Sequence, residues 1–324
     1  MTPRAFGSLH LMRAKRVRVG ALALMLMVML ALFAEWITAD APLLVIRPAG
    51  VEVLPAVTHA GRYRGLSRTE MATLHAHAAV VWPLYRWGPN RRDTPYQAAS
   101  LGHPLGTDAG GRDVFARVIY GSRSALGLAL LATTIGALLG VALGTLAGAR
   151  GRGWDEVALR PVEVIAAFPS IILVLLLTAA MRSVWALLFA AALLRFAEVT
   201  RLTRAEVLRL SRSSFVEAAA ALGCRPTRVL FRHVLPHAML PLTVSCMFGL
   251  GSVVILETAA AFLGVGGAHS WGQMIAEGLG EGDPRLAWAA IAALTITMGA
   301  AYLITDALVE YQNHRVKTTG SHSA

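Results

Sequence analysis

The chain has 324 residues, 56% of them hydrophobic and only 15% charged, with a mean hydropathy of +0.57 and a formal charge of +11. Apolar runs of about twenty residues recur along it, the profile of a polytopic membrane protein, so its basic residues first mark the side of a membrane and need no nucleic acid to explain them. Lysine occurs only at Lys15 and Lys317, neither after a glycine, which excludes a GxxxxGK[ST] phosphate loop; the two cysteines form no CxxC or Cys/His metal spacing.

Six apolar runs predict membrane spans at 19–38, 124–149, 162–181, 183–200, 238–263 and 286–309, an all-α fold. The tail 1–18 carries Arg4, Arg13, Lys15, Arg16 and Arg18. Ala39-Asp40-Ala41 resembles a signal-peptide cleavage site, but the preceding apolar stretch of about nineteen residues is longer than such a signal, so an uncleaved first span is expected. The next segment, 39–123, lies outside in either case. Residues 40–104 hold seven of the fourteen prolines, with Trp82, Tyr85, Trp87 and Tyr96 and no apolar period, and read as an irregular external lobe. His59, His75, His77 and His103 are read there as surface histidines, because the HxH pair shares no helical face and no acidic ligand accompanies it. Gly106, Gly110 and Gly111 with Asp108 predict a turn. After it Val114, Phe115, Val118 and Ile119 share one face, with Arg112, Asp113 and Arg117 elsewhere, which predicts an amphipathic helix resting on the bilayer before span two.

Span two carries Gly136, Gly140, Gly144 and Gly148 every four residues, a face that lets another helix approach closely; an internal contact is expected, with a subunit interface as the sharper alternative. Arg195 and Glu198 interrupt span four, where at i, i+3 they can pair and, near one end, snorkel. The loop 201–237 follows. Ser214 and Glu217 form a capping-box pattern that starts a helix at Phe215; Gly223 suits its left-handed end, and Pro226 opens a second basic helix that must stop before Pro236. About eight residues make a marginal helix alone. Ala218 to Ala221 give it a close-fitting face, flanked by Arg225, Arg228 and Arg232, so docking on a partner is preferred to a plain loop. Cys224 lies in this loop and Cys246 inside an apolar run, so no disulfide joins them.

Glu257 stands about 30 Å along the helix from Pro236, near the outer interface, where solvation and a pore role are both open. A polar turn, Gly280 to Asp283, precedes span six, and 310–324 is the C-terminal tail. Seventeen Arg and Lys in the two tails and in the loops near 150–160 and 201–237 mark the cytoplasmic side, with both termini there. The ten Arg of the long outer segment conflict little, because the rule weakens beyond about sixty residues.

The stretch "EAAAALGCRPTRVLFRHVLP" resembles the EAA signature of ABC-importer permeases. "HPLGTDAGGRDVFARVIYGSRSAL" and "ETAAAFLGVGGAHSWGQMI" resemble segments of the C-type permeases of dipeptide, oligopeptide and nickel importers, so the likeness covers about 100–280. It implies a type I importer permease fold, a core at 124–309, and a coupling helix held in a groove on a cytoplasmic ATPase. Ser214, Phe215, Glu217, Ala218, Ala219, Gly223, Arg225, Arg228, Leu235 and Pro236 are its candidate coupling residues. Such a chain holds no cofactor or metal and hydrolyses nothing; ATP and Mg belong to two partner ATPase subunits or domains. A second permease would complete the pore and an extracytoplasmic binding protein would deliver solute. The C-terminus "YLITDALVEYQNHR" lacks the family's usual ending.

Rival readings are weaker. "GEGD" superficially matches the GxGD of intramembrane aspartyl proteases, but it sits in a turn and no Tyr-Asp partner exists; HExxH and GxSxG are absent. A secondary transporter would be expected to show repeated halves and midplane charge. Peptide is the expected solute, with nickel as runner-up.

Overall fold

A segment apolar on every face rather than along one stripe suits lipid or a buried core, and the chain from Val114 onward is helical for almost its whole length. The computed structural model describes residues 3–47, 50–58, 70, 73, 78–150, 152–181, 183–267 and 269–320. In order these form α1 (Pro3–Leu32), α2 (Ala34–Ile37), β1 (Leu44–Arg47), β2 (Gly50–Val53), α3 (Pro55–Thr58), β3 (Ala79–Val81), α4 (Val114–Arg150), α5 (Arg152–Ala167), α6 (Ser170–Met181) and α7 (Val184–Ser211). There follow α8 (Ser214–Ala221), α9 (Pro226–Val229), a π-helical turn (Leu230–Val234), α10 (Leu235–Phe262), α11 (Trp271–Gly280) and α12 (Pro284–Gly320).

Among the described residues three helical stretches are long and apolar enough to cross a membrane: α4, Pro226–Phe262 and Pro284–Glu310. A fourth exists if Leu159–Ala167 and Ser170–Met181, bent by 97°, count as one span. The stretch expected at 162–181 is therefore broken rather than one continuous helix. Pro169 disfavours the helical conformation at Phe168 and breaks the helix there. The span expected at 19–38 is likewise interrupted, since α1 stops at Leu32. Its apolar part after Arg18 is shorter than the roughly 18 residues that a span needs. The stretch expected at 183–200 lies within the longer α7, whose last turns carry Arg201, Arg204 and Arg209.

The chain divides into two compact units. The first comprises Met1–Leu22, Leu128–Leu256 and Met298–Ala324. In it α5 and α6 pack on α7, and the four-residue glycine ladder of α4 lies directly against α7. A Cβ at Gly136 would stand 2.6 Å from Arg195 Cβ, at Gly140 2.8 Å from Val199 Cβ, at Gly144 2.6 Å from the Thr200 carbonyl oxygen, and at Gly148 2.9 Å from Val207 Cβ. Backbone touches backbone, so dispersion rather than hydrophobicity holds the pair in lipid. Gly144→Val is expected to cost about 1–3 kcal/mol by overpacking. The check is the melting temperature in detergent, against Gly127→Val, which meets nothing within 4 Å and should leave it unchanged.

The second unit comprises Ala23–Gly127 and Glu257–Thr297. The irregular lobe expected at 40–104 contains an antiparallel sheet of order β2-β1-β3, with Leu44 opposite both Val53 and Val81. His59, His75 and His77 lie outside the described residues. His103 is no surface histidine. It is buried, its Nδ1 lies 2.7 Å from Asp113 Oδ2, and Trp87 packs on its ring. Asp113 also caps α4, its Oδ1 accepting from the Ala116 N–H at 2.7 Å. The Tyr85 hydroxyl donates to the other oxygen at 2.6 Å; burial, then this bond and the charge of Asp113, push the phenol above its ordinary value and keep it a donor.

The predicted turn is present, with Gly111 at φ +73 and the Asp108 carboxylate accepting the N–H groups of Gly110 (2.9 Å) and Arg112 (2.8 Å). The surface-lying helix after it is not. Val114 to Ile119 form the first turns of α4, and Arg117 is fully buried, its Nη1 shared between Asp108 and Glu277 Oε2 at 2.8 Å. Arg112 bridges the same two carboxylates at 2.8 Å each. Burying a guanidinium costs several kcal/mol unless it is so paired, and helical periodicity cannot reveal a partner on α11.

Candidate functional site

The loop helix α8 starts one residue earlier than the capping-box pattern predicts. Ser213 holds the extended N-cap conformation (φ −86, ψ 149), and its carbonyl accepts from the N–H groups of Val216 (3.0 Å) and Glu217 (3.2 Å). Its hydroxyl instead donates back to the Leu210 carbonyl. The Ser214–Glu217 box is thus not formed. Two adjacent serines can both cap, and the last carbonyls of α7 select the first.

The end of α8 follows the sequence more closely. Gly223 takes φ +78; its N–H donates to Ala220 O at 2.9 Å and the Cys224 N–H to Ala219 O at 3.1 Å, a Schellman closure. Pro226 opens α9 as expected. The second helix does not stop before Pro236, however. The chain widens into the π-turn, whose closing bond runs from the Leu235 N–H to Leu230 O, and continues into α10. The wider turn accommodates a proline that lacks an N–H and would crowd a regular helix.

One face of α8 is anchored. Phe215, Val216 and Ala219 pack on a core of Val199, Val207, Leu210, Val229, Val234, Ala238 and Leu242, and the Phe215 ring stacks on His237 at 5.1 Å. The opposite face is bare: Ser214, Glu217, Ala218 and Ala221 are exposed, and Leu222 next to them is 84% exposed. Arg225, Arg228 and Arg232, in the segment that follows α8, are also exposed, with Phe231 at 63% exposure. Spacings of three, four and seven residues put the exposed set on one stripe. Of the candidate coupling residues, Ser214, Glu217 and Ala218 share the open stripe, Gly223, Arg225 and Arg228 are exposed in the segment after it, Phe215 and Ala219 turn inward, and Leu235 and Pro236 stand at the head of α10. Beneath α8 a cavity of about 1100 Å³ is lined by Val216, Ala220, Cys224, Val141, Met239 and Leu242.

Glu257 belongs to the second unit and is fully buried rather than solvated; Ser124 Oγ donates to its Oε1 at 3.1 Å. Two further charged groups sit differently from their sequence reading. Arg117 sits in the buried network described above. Arg195 does not snorkel: it is buried, and its Nη2 donates to Ser245 O on α10 at 3.0 Å while Nη1 bonds Glu198. Only the i, i+3 pairing of the last two was legible.

Residues 140–318 match the family described as binding-protein-dependent transport system inner membrane component. The chain is 35% identical to the dipeptide transport system permease protein DppC of Alkalihalophilus pseudofirmus over 185 residues, 56% of this chain and 61% of that protein. It is 33% identical to a putative peptide transport system permease protein of Brucella suis over 256 residues, 75% of this chain and 85% of the relative. Among solved structures, a chain of the inward-facing MetNI methionine ABC transporter aligns with a TM-score of 0.52 at 17% identity, covering 61% of this chain and 96% of that one.

Proposed function

Because the chain belongs to the family of binding-protein-dependent transport system inner membrane components, the permeases of ABC importers, we propose that it forms half of the pore of a peptide importer and that α8 is its docking element for a separate ATPase. The observation that carries the docking assignment is the two-sidedness of α8, anchored by Phe215 and Ala219 and bare along Ser214, Glu217, Ala218 and Ala221. An eight-residue helix gains little stability alone. Held on a core, it presents a preformed face and so binds without an ordering cost.

The proposal includes six spans: α1 with α2, α4, the bent pair α5–α6, α7, α10 and α12, with 39–123 outside and both termini in the cytoplasm of a prokaryotic cell. The cationic balance of tails and loops supports that orientation. The partners are a second permease, two ATPase subunits or domains that bind ATP and Mg, and an extracytoplasmic binding protein. The peptide assignment comes from the relatives' names, dipeptide and peptide permeases.

The test is reconstitution of the chain in proteoliposomes with a partner permease, an ATPase and a binding protein. Accumulation of a radiolabelled dipeptide that requires ATP, with none of nickel, is the expected result. ATP-independent uptake driven by an ion gradient would replace this reading by a secondary transporter.

A further inference from the structure

Within its strands, the sheet of the second unit has one face without a polar side chain. Leu44 stands opposite Val53 and Val81, and Ile46 opposite Val51 and Ala79, so these six side chains point the same way. That face is open. Ile46, Val51, Val53 and Val81 are 45%, 60%, 58% and 52% exposed, Ala79 is exposed and Leu44 is half-buried. The other face turns to the lobe, with Val45 fully buried and Glu52 and Val80 half-buried. An open aliphatic face of this extent marks a contact.

Backbone hydrogen bonds fix where the sheet stands. The Leu84 N–H donates to Trp36 O at 3.1 Å and the Tyr85 N–H to Ile37 O at 2.8 Å, while the Leu43 N–H donates to Val81 O at 2.7 Å. Val81 is three residues from Leu84, so it lies at most about 11 Å from the residue bonded to the end of α2. From Val19, just past Arg18, to Ile37 is about 28 Å of helix, which brings the end of α2 to the boundary of a hydrocarbon layer of about 30 Å. The sheet therefore stands at the membrane surface. Met25, Leu26, Met29, Leu32, Phe33 and Trp36 lead to it at helical spacing and are all exposed, a lipid-facing stripe that ends where the sheet begins.

The chemistry of the face selects lipid over protein. The cores of protein interfaces concentrate aromatic residues, methionine and arginine, whereas this face holds only valine, isoleucine, leucine and alanine and offers no side-chain donor or acceptor. Aromatic and cationic groups lie at its border instead. Trp82 follows Val81, and the Arg86 guanidinium sits 5.5 Å over its ring, a pairing that suits the headgroup level. Among the described residues no strand lies beyond β2 or β3. Unpaired backbone at those edges is tolerated among headgroups and not in hydrocarbon, so the contact is face-on and shallow.

We infer that this sheet face is a membrane-resting surface, which lies on the acyl-chain boundary of the outer leaflet and holds the lobe against the bilayer beside the α1–α2 span. The inference rests on the six-span reading above, in which 39–123 lies outside.

Spin labels test it at positions that are already exposed. In the full chain carrying Cys224→Ser and Cys246→Ser, reconstituted in phosphatidylethanolamine and phosphatidylglycerol, a nitroxide is placed at Val53→Cys or, as the control in an exposed loop, at Ala99→Cys. Electron paramagnetic resonance then measures collisions with oxygen, which concentrates among acyl chains, and with a water-soluble nickel chelate, for the chain alone and in the assembled complex. The oxygen-to-nickel collision ratio is expected to be several-fold higher at Val53 than at Ala99 in both states, and Val51→Asp beside the label should lower it toward the control. Equal ratios at the two sites mean a face open to water and overturn the lipid contact. A Val53 label shielded from both reagents, in the chain alone or only in the complex, means that protein covers the face and overturns it as well. Protection of Ala99→Cys from an impermeant maleimide in right-side-out membrane vesicles overturns the outside placement of 39–123 instead, and is read separately from the collision ratio.

Discussion

Glu217→Lys is expected to leave the chain in the membrane at its ordinary level and to abolish both ATPase co-purification and ATP-dependent uptake. The fold tolerates the change because Glu217 lies on the bare stripe of α8, outside the packed set of Phe215, Val216 and Ala219. The local cost is the lost attraction of a carboxylate for the helix N-terminus, about 0.3–1 kcal/mol. At a docked face the same change puts a cation where an acid was matched, and like-charge juxtaposition costs several kcal/mol; at about 3 kcal/mol, association weakens roughly 150-fold. Gly223→Pro acts through geometry. Proline cannot take φ +78, and it deletes the N–H that bonds Ala220 O at 2.9 Å, so α8 loses its closure and its aim. Normal co-purification and transport in both variants would remove the docking role from this loop.

Arg117→Met has its effect on stability rather than on docking. It strips one cation from the fully buried Asp108 and from Glu277, leaving Arg112 as their shared partner. Removing one member of a buried ionic group costs about 3–5 kcal/mol, and the surviving Arg112 contacts place this case at the lower end. A melting temperature in detergent lowered by several degrees, together with a smaller fall for Arg112→Met on the more exposed partner, is the expected pattern. If Arg117→Met melts with the unaltered chain, the network contributes nothing measurable.

What could be read in advance was what depends on neighbours in sequence. Gly223 and Pro226 mark a helix end and start because backbone conformation is a local property, and the glycine ladder of α4 announces a close helix contact through its four-residue repeat. What could not be read depends on groups far along the chain. Arg117 reads as an exposed residue on an amphipathic helix until Glu277 is brought to it, and His103 reads as a surface residue until Asp113 and Trp87 enclose it. Arg195 was visible as half of a pair with Glu198, but the room for it comes from Gly249, on another helix. Pro169 is different: its effect on Phe168 is local, and the apolar run around it concealed a sharp bend. The shift of the α8 cap from Ser214 to Ser213 is a competition between adjacent residues of equal capping ability, decided by the end of α7.

The π-turn at Leu230–Val234 sets the angular phase between α8 and the long helix it feeds. Each residue of a regular helix advances about 100°, so one surplus residue in a widened turn rotates everything before it by nearly a third of a revolution relative to everything after. The direction in which Glu217 and Ala218 point is therefore written partly in five residues that lie outside α8. A chain shortened by one residue there would keep every coupling side chain and aim them at the wrong azimuth.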